Sequence, residues 1–330
     1  MKNVCYVLSF LFTMVTTATF SQSMIGITGK SDTSYNTRIA YQQVIKTHPE
    51  SMTVNEFHFN NVKEERNITY VKTGKRELKQ DVFYPKEKKK SASIAILIIH
   101  GGGWRSGNRS QHYPLAQKLA NLGYVCFTPE YRLSTEALFP AAIFDIKEAI
   151  RWVKKNARKY DIDTAKVVAM GFSAGGELSA FMGTTGNIPL FEGVEYNPDV
   201  STHVNAVIDI DGTLSFVHPD CREGDDSKRT SAATYWFGYP KKDNVQLWET
   251  ASPLNYVSSN TPPTLFINSS VPAMHAGRED YIKVLNEFSI YSEVHTFDEA
   301  PHSFCLFDPW FEPTVKLMDD FLKKVFATKK

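Results

Sequence analysis

Three groups of residues could carry out nucleophilic chemistry together. Gly171-Phe172-Ser173-Ala174-Gly175 has the form G-x-S-x-G, entered from a strand-like run, Val167 to Met170, and left by a helix-like run from Glu177. A serine on so sharp a strand-to-helix turn projects its hydroxyl clear of the sheet, and its small neighbours let other backbone pass close by. The N–H of Ala174 would then face a developing oxyanion at the positive end of the helix. His100-Gly101-Gly102-Gly103-Trp104 follows a buried-strand pattern ending at Ile99. Consecutive glycines let backbone N–H groups converge on one point, so Gly102 and Gly103 are expected to join Ala174 as oxyanion donors. A phosphate loop is disfavoured, because neither a GK[ST] ending nor G-x-G-x-x-G spacing is present.

The third group is a base and an acid. In the order Ser…acid…His, His302 is the expected general base, since Ala300-Pro301-His302-Ser303 comes shortly after the last core strand. It would accept the serine proton and return it to a leaving alcohol. His295 falls inside that strand and reads as structural; His275, in the loop after the preceding strand, reads as lining a pocket. The acid is less plainly marked. The loop after Thr264–Asn268, its usual place, runs from Ser269 to His275 without a carboxylate. Asp211, ending a strand on the carboxyl side of the sheet, is the favoured acid. Asp280 and then Glu299 are the alternatives, although an acid at Asp280 also suits the first turn of a helix. Asp209 is set aside as facing the other side of its strand.

The elements that must position these groups alternate. Ile94–Ile99 is a continuous apolar run, as expected of a strand buried on both faces. Further strands are expected at Tyr124–Thr128, Val167–Met170, Val204–Ile210, Thr264–Asn268 and Val294–Phe297. Helices are expected at Tyr113–Leu122, Pro140–Tyr160, from Glu177, and at Pro313–Phe326. In the second of these, Ile143, Ile146, Ile150 and Val153 form one stripe. Strand–helix alternation implies a mostly parallel, doubly wound sheet with helices on both faces. Ile68–Val71 and Lys79–Tyr84 read as antiparallel strands at its edge, and residues 22–56 as an aperiodic surface lead-in. The expected organisation is a signal peptide over 1–21, lead-in and edge strands over 22–77, and a catalytic domain over 78–330. Within that domain, 213–255 reads as a lid-like insertion.

These motifs resemble a known group. HGGGW at 100–104, Glu130-Tyr131-Arg132-Leu133, Phe139-Pro140 with Asp145, and GFSAGG at 171–176 are similar to those of hormone-sensitive-lipase-type and feruloyl/acetyl-esterase-type α/β-hydrolases, over about residues 78 to 325. The resemblance implies the α/β-hydrolase fold and a serine esterase working through an acyl-enzyme, with no metal or organic cofactor. It also implies a carbohydrate-linked substrate, an acetyl, feruloyl or pectin methyl ester, of the kind met by secreted bacterial polysaccharide-degrading systems. The missing acid after Thr264–Asn268 is a departure from the pattern. It leaves open a catalytically weak, carbohydrate-binding protein of this fold, and a serine peptidase is a third reading.

Composition bounds the remainder. Of 330 residues, 37 are Lys or Arg and 36 are Asp or Glu, a net charge of +1, without the basic excess of a nucleic-acid binder. A 42% hydrophobic and 13% aromatic content supports a large core and excludes disorder. Lys2 followed by the apolar run Val4–Ala18 reads as a secretory leader cleaved near Ser21, implying a secreted or periplasmic protein with no membrane span in the mature chain. Cys5 would leave with it, and Cys126, Cys221 and Cys305 permit at most one disulfide. Arg105, Asn108, Arg109, His275 and Arg278 could place positive charge around a pocket suited to a galacturonate polymer. Trp104, Trp236, Trp248 and Trp310 could offer sugar-stacking faces or form the core of the lid.

Overall fold

The computed structural model describes residues 23–87, 91–186, 188–193 and 199–327. The run expected to be a secretory leader, with Cys5, lies outside the described residues. Eight strands form one sheet: β1 (Val62–Thr73), β2 (Arg76–Pro85), β3 (Ser93–Ile99), β4 (Val125–Pro129), β5 (Ile162–Phe172), β6 (Ala206–Ile210), β7 (Thr264–Asn268) and β8 (Ser292–Thr296). Their order across the sheet is β1-β2-β4-β3-β5-β6-β7-β8. The hairpin β1–β2 and the β2–β4 pair are antiparallel, and every pair from β4 through β8 is parallel.

The helices are α1 (Thr37–Val44), α2 (Tyr113–Leu122), α3 (Ala141–Lys155), α4 (Ala174–Thr184), α5 (Ala232–Phe237), α6 (Val245–Thr250), α7 (Arg278–Glu287) and α8 (Phe311–Val325). The two-residue side-chain period of the central strands divides the core into two layers. On β3, Ala95, Leu97 and Ile99 face one layer with the Ile143, Ile146 and Ile150 stripe of α3 and Leu178 and Phe181 of α4. Ile96 and Ile98 face the other, with Leu115 and Leu119 of α2 and Met318 and Phe321 of α8. Covered on both faces, these strands can be apolar throughout.

The long helix expected over 140–160 is interrupted. Asn156 ends α3, its side-chain amide donating to the Trp152 carbonyl at 2.8 Å, and Ala157–Tyr160 is a separate turn. The lead-in also has more order than its lack of period predicts. Asn36 caps α1 by accepting from the Ile39 N–H at 2.9 Å, and Ala40 and Val44 bury into the α2/α8 layer. Met52–Thr53 pair with Phe307–Asp308, in the segment that follows His302. One short helix face and a two-residue ladder are too brief to leave a periodic signal.

Residues 213–255 carry α5 and α6. Trp236 and Trp248 there are fully buried, packed with Phe216 and Phe237 in the same layer as α3 and α4. Cys126, Cys221 and Cys305 are buried free thiols. Among the described residues, no helix is long and apolar enough to cross a membrane, and no group of His, Cys, Asp or Glu is arranged to hold a metal ion.

Candidate active site

The carboxyl ends of β3, β5, β6 and β7 converge on one point. Strand β5 delivers Ser173, which turns the chain with φ 57° and ψ −121° before α4 begins at Ala174. That turn is strained for a residue with a side chain, and it holds because both flanks are over-determined. The Ser173 N–H donates to the Ile210 carbonyl at 2.8 Å. A Cβ on Gly175 would sit 2.1 Å from the Ile99 carbonyl oxygen, so only glycine lets α4 start this close to β3. Ser173 is partly exposed between buried Phe172 and Ala174.

His302 bridges to it. Its Nε2 lies 2.8 Å from Ser173 Oγ, and its Nδ1 lies 2.9 Å from Asp211 Oδ2. A tautomer protonated at Nδ1 donates to Asp211 and leaves Nε2 to accept from the serine hydroxyl. Asp211 comes from the end of β6, where φ is 51°. That left-handed turn sends its carboxylate toward His302 instead of continuing the strand. Asp209 and Asp211 would share a face of a regular strand, so alternation is not what separates them, contrary to the sequence reading. The turn at Asp211 separates them, and Asp209 Oδ1 accepts the Gly212 N–H at 2.7 Å.

Asp211 is 1% exposed, and burial by itself would raise its carboxyl. The close approach of His275, whose Nδ1 is 3.6 Å from Oδ1, together with hydrogen bonds from His302 and from the Ser269 N–H (2.8 Å), outweighs that and holds it at about 2. The loop after β7 thus supplies no carboxylate; it supplies Ser269 and His275 to a carboxylate arriving from β6. Asp280 is exposed, 3.7 Å from His218, and Glu299 is exposed; the structure brings neither to His302.

The glycine loop lies against the serine. A Cβ on Gly101 would be 3.1 Å from Ser173 Cβ. Gly102 takes φ 125°, and its carbonyl accepts from the Arg105 and Ser106 N–H groups in a tight turn. The N–H groups of Gly102, Gly103 and Ala174 donate to no partner among the described residues. The loop is pinned from behind. Trp104 Nε1 donates to Glu177 Oε2 at 2.9 Å, and its ring stacks on Trp236 at 4.8 Å with 5° between planes. His100 stacks on Tyr131, whose hydroxyl donates to the His100 carbonyl at 3.0 Å. Burial lowers the His100 imidazole to about 4, keeping it neutral.

Several expectations for the surroundings need correction. Trp104, Trp236 and Trp248 are core residues at 3%, 0% and 0% exposure and offer no face to a sugar. Trp310 packs edge-on to His48 beside the α2/α8 layer. Arg105 is held by Asp32 at 2.8 Å and lies over the Tyr235 ring, while Arg109 is held by Asp81 and Glu130. Arg278 donates to Asn268 Oδ1 at 2.6 Å and pairs with Glu279. His295 lies on the edge strand, 3.1 Å from Glu293. Of the five residues named around the pocket, only His275 reaches the triad-like cluster, and it does so through Asp211. Sequence reasoning set Asp209 aside and gave Glu177 no role beyond opening a helix, and the structure buries both carboxyls behind the turn. Two acidic residues in otherwise apolar or small-residue runs were the available signal.

Residues 80–273 match the BD-FAE family model. The chain is similar to "Probable carboxylic ester hydrolase LipM" of Mycobacterium tuberculosis, 30% identical over 257 residues that cover 71% of this chain and 55% of that protein. It is also similar to "Esterase LipC" of the same organism, 30% identical, covering 58% and 47%. The chain thus spans about half the length of the curated relatives it matches. Among solved structures, it resembles a truncated carbohydrate esterase from gut microbiota, with a TM-score of 0.65 and 24% identity, covering 79% of this chain and 96% of that one. It also resembles an esterase of the planctomycete Thermogutta terrifontis, with a TM-score of 0.65 and 25% identity, covering 82% and 95%. Sheet order, strand–serine–helix turn and family match agree: the chain has the α/β-hydrolase fold and belongs to the BD-FAE family.

Proposed function

We propose that the protein is a serine carboxylic ester hydrolase with Ser173, His302 and Asp211 as its catalytic triad. One observation carries this reading: a continuous hydrogen-bonded line from Ser173 Oγ through both nitrogens of His302 to Asp211. His302 Nε2 takes the hydroxyl proton as Oγ bonds to the ester carbonyl carbon. The carbonyl oxygen becomes an oxyanion facing the N–H groups of Gly102, Gly103 and Ala174. His302 then gives the proton to the departing alkoxide, leaving an acyl-serine and an alcohol. Water repeats the sequence, releasing the acid and restoring Ser173. Asp211 fixes the imidazole tautomer and balances the transient imidazolium.

We further infer a carbohydrate-linked acyl or methyl ester as substrate. Supporting it are the motif resemblance and structural neighbours described as a gut-microbiota carbohydrate esterase and a bifunctional GH43-CE of Bacteroides eggerthii. Export, with cleavage near Ser21, is the corresponding location, supported by the leader-like pattern of the sequence. Turnover of p-nitrophenyl acetate, abolished in Ser173→Ala with melting temperature unchanged, tests the hydrolase reading; no turnover of any ester would sink it. Acetylated xylan, feruloylated oligosaccharides and methylated or acetylated pectin test the substrate.

A further inference from the structure

Residues 268–278 contain no carboxylate, yet their polar groups gather on one. The Asp211 side chain is fully buried, and a carboxylate offers about four lone-pair sites to donors. His302 Nδ1 takes one, on Oδ2. The Ser269 N–H takes a second, on Oδ1, at 2.8 Å, and Asn268 Nδ2 approaches the same oxygen at 3.4 Å. Arg278 donates to Asn268 Oδ1 at 2.6 Å, which leaves the NH₂ end of that amide for Asp211.

The fourth group is His275, whose Nδ1 lies 3.6 Å from Asp211 Oδ1. This nitrogen is buried and has no hydrogen-bond partner among the described residues. A proton on Nδ1 makes it a donor beside an anion, whereas a proton on Nε2 would set a lone pair against that anion. Hydrogen bonds in an unliganded active site are often long and tighten as the reaction proceeds. The backbone on both sides fixes the approach. His275 ends a short turn, Pro272–His275, and the next carbonyl, that of Ala276, accepts from the Leu214 and Ser215 N–H groups at 2.9 and 3.1 Å. Gly277 follows with φ 86°, and a Cβ there would be 2.9 Å from Ser215 Cβ. The chain just after Asp211 is thus fastened to the chain just after His275.

We propose that His275 is a positioning residue that acts through Asp211: its Nδ1–H holds the second carboxylate oxygen, so that the first stays on His302 while that imidazole is cationic. The role in turnover rests on the hydrolase reading. It stands in place of the pocket-lining role expected from the sequence. Its loss should fall on kcat, because the charge of Asp211 counts most in the transition state, where His302 carries both protons.

His275→Phe keeps a ring and removes the nitrogen, and His275→Asn returns an N–H near the place of Nδ1. With p-nitrophenyl acetate, His275→Phe should lower kcat about tenfold and leave KM within about twofold, the loss expected when a charged group is deprived of one donor. His275→Asn should bring kcat back to within about threefold of the parent. In an Asp211→Asn background, assayed at high enzyme concentration, His275→Phe should cost no more than about twofold, because the group it acts through is gone. A kcat for His275→Phe within about twofold of the parent, no rescue by His275→Asn, or the full loss repeated in the Asp211→Asn background would each overturn the proposal. Imidazole ¹⁵N spectra of the full chain at pH 8 test the contact without reference to turnover. They should show His275 protonated at Nδ1, and a proton on Nε2 would overturn the proposal. Nδ1-protonated His275 in a chain that hydrolyses no ester would uphold the contact with Asp211 and overturn the hydrolase reading instead.

Discussion

Asp211 and His302 meet at 2.9 Å although 91 residues separate them, and the carboxylate arrives from β6 and not from the loop after β7. That loop contributes the Ser269 N–H and His275 to the second carboxylate oxygen. Asp211→Asn should therefore lower kcat for p-nitrophenyl acetate by about 10⁴-fold, because an amide favours the wrong imidazole tautomer. Asp280→Asn and Glu299→Gln should stay within twofold of the parent. Steady-state kinetics on the three variants decides the assignment, and a large loss in Asp280→Asn alone would reverse it.

Trp236 couples the segment 213–255 to the glycine loop through its stack on Trp104. Trp236→Ala should cost about 3–5 kcal/mol in urea unfolding, the usual range for emptying a large buried site. It should also lower turnover more than substrate affinity, since it frees the anchor behind Gly102 and Gly103. An unchanged kcat would mean that the loop holds its shape without this support.

His112 is buried with neither ring nitrogen bonded, edge-on to Phe172. Burial, with the nearby His100 adding to it, lowers its imidazole from 6.5 to about 3. The fold binds this proton less readily than the unfolded chain does. Its stabilising contribution is therefore complete above pH 6.5 and is lost as pH falls toward the folded value. His112→Phe should make the loss of stability between pH 7 and pH 5 smaller by about 2 kcal/mol, from the interval below 6.5. Parallel denaturation curves for both proteins at the two pH values would contradict this.

Glu177 is buried with one oxygen on Trp104 Nε1 and the other unpartnered, and Asp209 lies close by. Burial pushes its carboxyl well above the usual range. A raised carboxyl stabilises the fold below its unfolded value near 4.5 and loses that contribution as pH rises. Glu177→Gln keeps an acceptor for Trp104 and removes the titration. It should raise the melting temperature at pH 8 and change it little at pH 4.5. A lower melting temperature at pH 8 would indicate that the ionised carboxylate is the stabilising form.

Local chemistry made much of this molecule legible in the sequence. The run Ile94–Ile99, the stripe Ile143-Ile146-Ile150-Val153 and the glycine stop after Leu122 each follow from short-range periodicity or backbone restriction. So does the pairing of G-x-S-x-G with a strand before it and a helix after it. Those features determined the fold class, the place of the proposed nucleophile and the position of His302 in chain order.

Tertiary structure decided what depends on distances between segments remote in sequence. The sequence offers three candidate acids in the Ser…acid…His order, Asp211, Asp280 and Glu299, and only the left-handed turn ending β6 selects Asp211 among them. Arg105 and Arg109 carry positive charge beside the glycine loop in the sequence, and Asp32, Asp81 and Glu130 engage both. Trp104, Trp236 and Trp248 have equally suitable rings for a sugar, and burial removes all three. Residue type states what a side chain can do; its partners across the fold leave it free to do so or prevent it, and a partner 73 residues away leaves no periodic trace in the sequence.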